Sequence, residues 1–145
     1  VMRRSSEEVG AGNVIIIGAR ATYADEVDFV KKKGIRYLSS LDIIRSNSQS
    51  AAAWAKQSLR GAKKVYVSID IDVLDPSCAP GVGNPEPEGI GTTALLDIID
   101  AVVDDRVVGF DVVEVSPPYD NGSTAAVASK LVFEICSMII ARQRK

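Results

Sequence analysis

The chain has no histidine among its 145 residues, and that absence excludes more chemistry than any other feature of its composition. A Ser-His-Asp triad, a Cys-His pair and a histidine-ligated metal centre all need an imidazole, so none can be assembled from these residues alone. Cysteine is scarce too. Cys78 and Cys136 stand far apart, with neither the density of a disulfide framework nor the spacing of a zinc site, and both read as reduced thiols. Cys136 falls in the apolar stretch 131–140, where a buried structural thiol is expected, and Cys78 falls in a loop with no histidine to activate it. An excess of basic charge is also missing. With 17 Lys and Arg against 19 Asp and Glu, the net charge of -2 offers no field for nucleic acid or an acidic membrane, and the basic end at 142–145 is short. No apolar run reads as long enough to span a bilayer, and no signal-peptide pattern opens the sequence, so the expectation is a cytoplasmic protein with no membrane partner.

What is present is a regular alternation. Hydrophobic residues make up 46% of the chain, enough for a real core. Short β-branched runs at 14–18, 35–38, 65–71 and 107–115 alternate with helical stretches at 23–33, 50–60, 92–103 and 124–141. Ser46, Asn47 and Ser48 are candidate caps for the second helix, Thr92 for the third, and Gly34 and Gly61 are helix stops. Strands that alternate with helices of this length imply the α/β class: a parallel sheet with helices on both faces, about four βα units of a larger sheet. In such sheets ligands gather outside the carboxyl ends of the strands, which points to the residues just after Ile71 and Val115.

Both places are unusual. From Asp72 to Gly91 runs a long connection stiffened by Pro76, Pro80, Pro85 and Pro87 and turned by Gly81, Gly83 and Gly89; its apolar residues Val73, Leu74, Val82 and Ile90 argue that it is ordered. Immediately before it, Asp70 and Asp72 lie two apart on a predicted strand, which places both carboxylates on one face. Partly buried, they would repel and raise one another's pKa unless a cation sat between them, and an all-oxygen donor set suits Mg, Ca or Mn. The structural alternative is that one aspartate caps the following turn while the other is solvated. Asp75, before Pro76, reads as a turn initiator. In the second place, Glu114 stands near the end of a buried strand, where a carboxylate can tie down a neighbouring loop by hydrogen bonding. Asp111 reads equally well as a structural hydrogen-bond acceptor.

Taken whole, residues 68–76 (Ser-Ile-Asp-Ile-Asp-Val-Leu-Asp-Pro), followed by Ala-Pro-Gly-Val-Gly at 79–83 and Pro-Glu-Pro-Glu-Gly at 85–89, resemble the signature of the ureohydrolase family of arginases, agmatinases and formimidoylglutamases. Residues 109–120 (Gly-Phe-Asp-Val-Val-Glu-Val-Ser-Pro-Pro-Tyr-Asp) resemble that family's closing motif in a form most like agmatinases, and 14–20 and 34–38 resemble its preceding strands. The resemblance implies that Asp70 bridges two manganese ions, that Asp72 binds one of them, and that Glu114 clamps the guanidinium of a small guanidino substrate. It implies that a metal-bound water attacks the guanidinium carbon to release urea, in a homo-oligomeric enzyme. Arg20 is a candidate subunit-contact or loop-anchoring residue.

One part of the family pattern is missing. The histidine-bearing Gly-Asp-His and Asp-Ala-His-x-Asp motifs, with most metal ligands and the proton shuttle, have no counterpart, so no complete catalytic set lies in this chain. The expectation is that residues 1–145 are the carboxyl-terminal part of a single ureohydrolase domain, inactive alone. Two readings compete with it. A haloacid-dehalogenase-type phosphohydrolase would use the Asp-x-Asp after a strand, but it needs a later acidic pair after another strand, whereas Asp104 and Asp105 precede one. A non-catalytic relative or structural subunit would have kept the fold and lost the metal site.

Overall fold

Each β-branched run forms a strand, and each strand finds a parallel neighbour. The computed structural model describes residues 1–143, so Arg144 and Lys145 of the expected basic end lie outside the described residues. Strand β1 (Ile15–Ala19) pairs with β2 (Arg36–Ser39), and β3 (Val65–Asp70) pairs with β4 (Val107–Val113). In the second pair Ser68 lies opposite Asp111, and Asp70 opposite Val113. Six helices accompany them among the described residues: α1 (Met2–Val9), α2 (Ala24–Lys33), α3 (Ser40–Ser46), α4 (Ser48–Ser58), α5 (Thr92–Val102) and α6 (Ser123–Gln143). Parallel strands joined through helices are the α/β arrangement expected from the alternation. The four strands nevertheless form two separate pairs rather than one continuous ladder, because β1 and β3 share no backbone hydrogen bonds among the described residues.

Local chemistry explains most element ends. The α2 helix opens with Asp25 and Glu26, whose Glu26 carboxylate accepts the Tyr23 N–H, and closes on Lys31, Lys32, Lys33 and a left-handed Gly34; both ends suit the helix dipole. Of the three predicted caps before α4, Asn47 is used, accepting the Ser50 N–H at 2.8 Å. At α5, Gly91 rather than Thr92 is the cap, and no side-chain bond closes that end. Two helices, α1 and α3, were not expected. The α3 helix follows β2 without a loop, started by a reciprocal pair in which Ser39 and Asp42 bond each other's backbone N–H groups. Its seven residues are too few to show a clear period.

The buried cluster ties these pieces together. Val65 and Ile69 of β3, Ala51 and Ala55 of α4, Leu95, Ile98 and Ile99 of α5, and Leu131 and Ile135 of α6 belong to one core. Burying a side chain of leucine size contributes roughly 1.5–3 kcal/mol, so this contact set outweighs any single polar interaction. Helices α3 and α4 pack against β1, α6 packs against β4, and α5 lies between α4 and α6.

Two expectations about α6 fail. The stretch Ser123–Arg142 is long and apolar enough, with mean hydropathy 1.7 over 20 residues, to cross a membrane by length and composition, although no such run was expected. A helix that must pack on both a strand and a neighbouring helix is apolar for that reason alone, and Leu131 and Ile135 are fully buried. Cys136, expected inside, is exposed. It borders an open groove with Val112, Val115, Val132 and Phe133, so its apolar neighbours surround it without covering it.

Each strand has one hydrogen-bonded neighbour among the described residues, which leaves backbone groups along the other side free to pair. The isolated 145-residue chain is therefore expected to self-associate in size-exclusion chromatography with light scattering. A monomer whose strand amides all resist hydrogen exchange would contradict this.

Candidate functional site

The carboxyl end of β3 delivers Asp70, and the chain then leaves the sheet in a short 3-10 turn, Ile71–Val73, pinned by the fully buried Ile71. Asp72 sits in that turn, not on the strand. The two carboxylates are thus brought near each other by a turn rather than by the strand pleat. Asp70 caps this turn, its Oδ1 accepting the Asp72 N–H at 3.0 Å. The capping alternative is therefore realised for Asp70, and it occupies only one of the two oxygens.

Asp72 is half-buried, and its Oδ1 is shielded from solvent with no hydrogen-bond partner. Burial pushes its pKa up to about 6, helped by the negative charges of Asp70 and Glu114 and opposed by Arg20. Asp70 is exposed as a residue, yet its carboxyl group is crowded enough that desolvation, assisted by Glu114, raises its pKa against the Asp72 N–H bond and the Arg20 charge. Three acidic groups thus face one rim. A buried carboxylate oxygen without a donor is the partner a cation lacks.

Arg20 organises the near side. It lies just past β1, and its Nε donates to the Asp72 carbonyl at 2.7 Å while Nη2 reaches Leu74 O at 3.2 Å and Nη1 donates to Glu86 O. Of the two roles considered for Arg20, the geometry gives loop anchoring. Gly18 makes the approach possible, because a Cβ there would lie 2.3 Å from Val73 Cγ2. The residue also has φ 84, where side chains other than hydrogen are strained. Gly18 was not singled out from the sequence, although a glycine inside a β-branched run signals close backbone approach.

The long connection is ordered, as its apolar content suggested. Leu74, Ala79, Val82 and Ile90 are buried, and Asp75 and Ile90 exchange backbone bonds with the turn through Asp75 N to Ile90 O and Ile90 N to Val73 O, both 3.0 Å. Asp75 starts the turn expected of it, accepting Ser77 N–H at 3.0 Å.

Glu114 completes the rim. It follows β4 with φ 65, an unfavourable conformation for a residue with a side chain, and its carboxylate lies over Gly83, where an added Cβ would stand 3.7 Å from Oε2. Asp111 is the structural acceptor expected of it, taking hydrogen bonds from Tyr66 Oη at 2.9 Å and Ser68 Oγ at 2.6 Å. Tyr119 is exposed, and Asp120 caps α6 through Gly122 N, Ser123 Oγ and Thr124 N. The acidic pair at 104–105 is no metal site, since Asp104 is occupied by a two-nitrogen bond to Arg106.

The donor set suits part of a centre for a hard divalent cation. No group of three or more His, Cys, Asp or Glu side chains that could hold a metal ion occurs among the described residues, so Asp70 and Asp72 would supply two ligands and no complete coordination sphere. The raised pKa of Asp72 fixes a sign. The folded chain holds a proton that the unfolded chain releases near the ordinary carboxylate pKa, so metal-free stability falls as pH rises from about 4 to about 6. Asp72→Asn is expected to flatten that slope, leaving only the part due to the raised pKa of Asp70, and to raise the melting temperature at pH 7 without metal; a variant less stable than the parent there would overturn the reading.

The Arginase family model matches residues 1–137. A guanidino acid hydrolase, mitochondrial, of Homo sapiens is 38% identical over 129 residues, covering 86% of this chain and 36% of its own length. An agmatinase of Halalkalibacterium halodurans is 36% identical over 137 residues, covering 92% of this chain and 45% of its own length. Among solved structures, the agmatine ureohydrolase of Thermoplasma volcanium superposes with a TM-score of 0.85 at 33% identity, covering 96% of this chain and 46% of that one. The chain spans less than half the length of these relatives. A family match over residues 1–137, with 33% to 38% of positions identical to these relatives on a backbone of the same shape, places the chain in the arginase family of ureohydrolases.

Proposed function

We propose that these 145 residues are the carboxyl-terminal part of the single α/β domain of a manganese-dependent ureohydrolase, with agmatine, hydrolysed to putrescine and urea, as first-choice substrate. The observation that carries this is the solvent-shielded, partnerless Asp72 Oδ1 beside Asp70, with Glu114 on the same rim. Asp70 and Asp72 would hold manganese, and a metal pair, when bound, supplies a nucleophilic water at neutral pH. Glu114 orients the planar guanidinium, because an ionised carboxylate accepts two parallel N–H bonds and charge pairing holds the carbon in line for attack. Arg20 holds the Asp72 backbone still while this happens. The remaining ligands and the proton shuttle belong to chain outside these residues, so the 145 residues alone are read as inactive.

The substrate's far end is read by groups beyond this rim. Relatives at similar identity carry the names agmatinase, guanidinobutyrase and guanidinopropionase, which share the guanidino group and differ beyond it. The whole enzyme is read as cytoplasmic and, from the open strand edges, as a homo-oligomer. The absence of a three-ligand cluster among the described residues favours a second reading, a non-catalytic subunit of the same fold. Sequencing the reading frame around these residues separates the two: Gly-Asp-His and Asp-x-His motifs upstream support the enzyme, and their absence supports the subunit.

With full-length protein and manganese, urea release is expected from agmatine ahead of arginine, guanidinobutyrate and guanidinopropionate; inactivity on all four would sink the hydrolase assignment. Glu114→Gln in the same protein is expected to lower kcat/KM by about 100-fold or more while leaving bound manganese unchanged, since it removes one partner of a charge-assisted pair.

A further inference from the structure

The reading of Glu114 as the guanidinium clamp leaves open what holds a side chain on a left-handed backbone, which is strained for any residue with a Cβ. Strand pairing does not do it. β4 ends at Val113, and Glu114 lies one residue beyond. The next two residues make a short antiparallel contact with the long connection: Val115 pairs with Val82, and Ser116 N donates to Gly81 O at 2.8 Å. Gly81 is therefore the point against which the Glu114 segment is held.

Gly81 is itself gripped from the other side. Its N–H donates at 2.8 Å to Oγ1 of Thr124, which is fully buried, 0% exposed, in the first turn of α6. Thr124 is seated in turn by Asp120, whose carboxyl group accepts the Thr124 N–H at 2.7 Å. There is no slack in this contact: a Cβ on Gly81 would lie 2.7–2.9 Å from the three atoms of the Asp120 carboxyl group. Thr124 is one of the few buried polar side chains among the described residues, and neither the metal ligands nor the guanidinium contact uses it.

We propose that Thr124 is a positioning residue for Glu114, acting through Gly81: its hydroxyl fixes the Gly81 peptide, and that peptide fixes the backbone on which Glu114 is displayed over Gly83. The proposal rests on the reading of Glu114 as substrate clamp. Without the hydroxyl, the Gly81 N–H becomes a buried donor with no acceptor. The peptide then turns to find one, and the Ser116 bond and the Val82 to Val115 bridge shift with it. Asp70 and Asp72 hang on the opposite end of the loop, secured by Arg20, so the metal ligands are not carried along.

The test uses the full-length enzyme with manganese and its best guanidino substrate. Thr124→Val keeps the shape and removes the hydroxyl; a loss of about 10- to 100-fold in kcat/KM is expected, carried mainly by KM, from one unsatisfied buried donor. Thr124→Ser is expected to stay within about threefold of the parent, and bound manganese is expected to be unchanged in both. A residue that only supports the fold would lower the melting temperature and leave kcat/KM of the folded protein untouched, and that result overturns the proposal, as does a serine variant as impaired as the valine one. Placing Thr124→Val on a Glu114→Gln background separates the two readings. Full activity of Glu114→Gln alone removes the clamp and the proposal with it. A disabled Glu114→Gln beside a normal Thr124→Val removes the proposal only. No additional loss in the double variant is the supporting outcome. Should Thr124→Val give no folded protein, Asp120→Asn replaces it: a weaker bond to the Thr124 N–H, which seats the side chain, is expected to cost about 3- to 10-fold in kcat/KM, and an unchanged value counts against the proposal.

Discussion

Two carboxylates forced together at the end of a parallel strand, one with a solvent-shielded oxygen that no protein donor reaches, set the terms for everything around them. Without a cation, Asp70 and Asp72 repel, and burial raises the pKa of both. A protein keeps such a conflict only where its surroundings are rigid enough to impose it. Arg20 supplies much of that rigidity. It spends its guanidinium on the carbonyls of Asp72, Leu74 and Glu86 rather than on a carboxylate, so it orders the loop backbone and leaves the acidic side chains free.

The long connection after β3 is the second consequence. Its ends are drawn together by backbone bonds from Asp75 and Ile90, and its apolar residues reach the same core as α5 and α6. That makes it a rigid wall rather than a mobile lid. Its middle, at Gly81 to Gly83, meets the segment carrying Glu114, so both halves of the candidate site depend on one loop. The arrangement explains why the glycines here are close-contact residues. Gly89 and Gly81 each leave no room for a Cβ, against the Asp75 backbone and the Asp120 carboxyl group respectively.

The chain spans 36% to 45% of the length of the curated relatives it matches, and its strands form two pairs with unpaired edges. The α6 helix has two unlike sides: Phe133 is 70% exposed beside a groove lined by Val112 and Val115, while Leu131 and Ile135 are fully buried.

Much of this was legible in the residues themselves. Alternating β-branched and amphipathic runs determined the α/β class, Pro and Gly with interspersed apolar residues determined an ordered connection, and Asp70, Asp72 and Glu114 could be singled out because acidic groups at buried strand ends need a reason to be there. Local chemistry alone decides such features. What the sequence left undetermined depends on residues far apart in the chain: that Asp72 sits in a turn rather than on the strand, that α3 follows β2 directly, that Cys136 faces an open groove, and that the strands divide into two pairs. The grip of Thr124 on Gly81, 43 positions away, belongs here too. Hydrogen bonds and steric fits of that kind carry no periodicity and no local composition, so only the folded chain, by bringing the partners together, decides them.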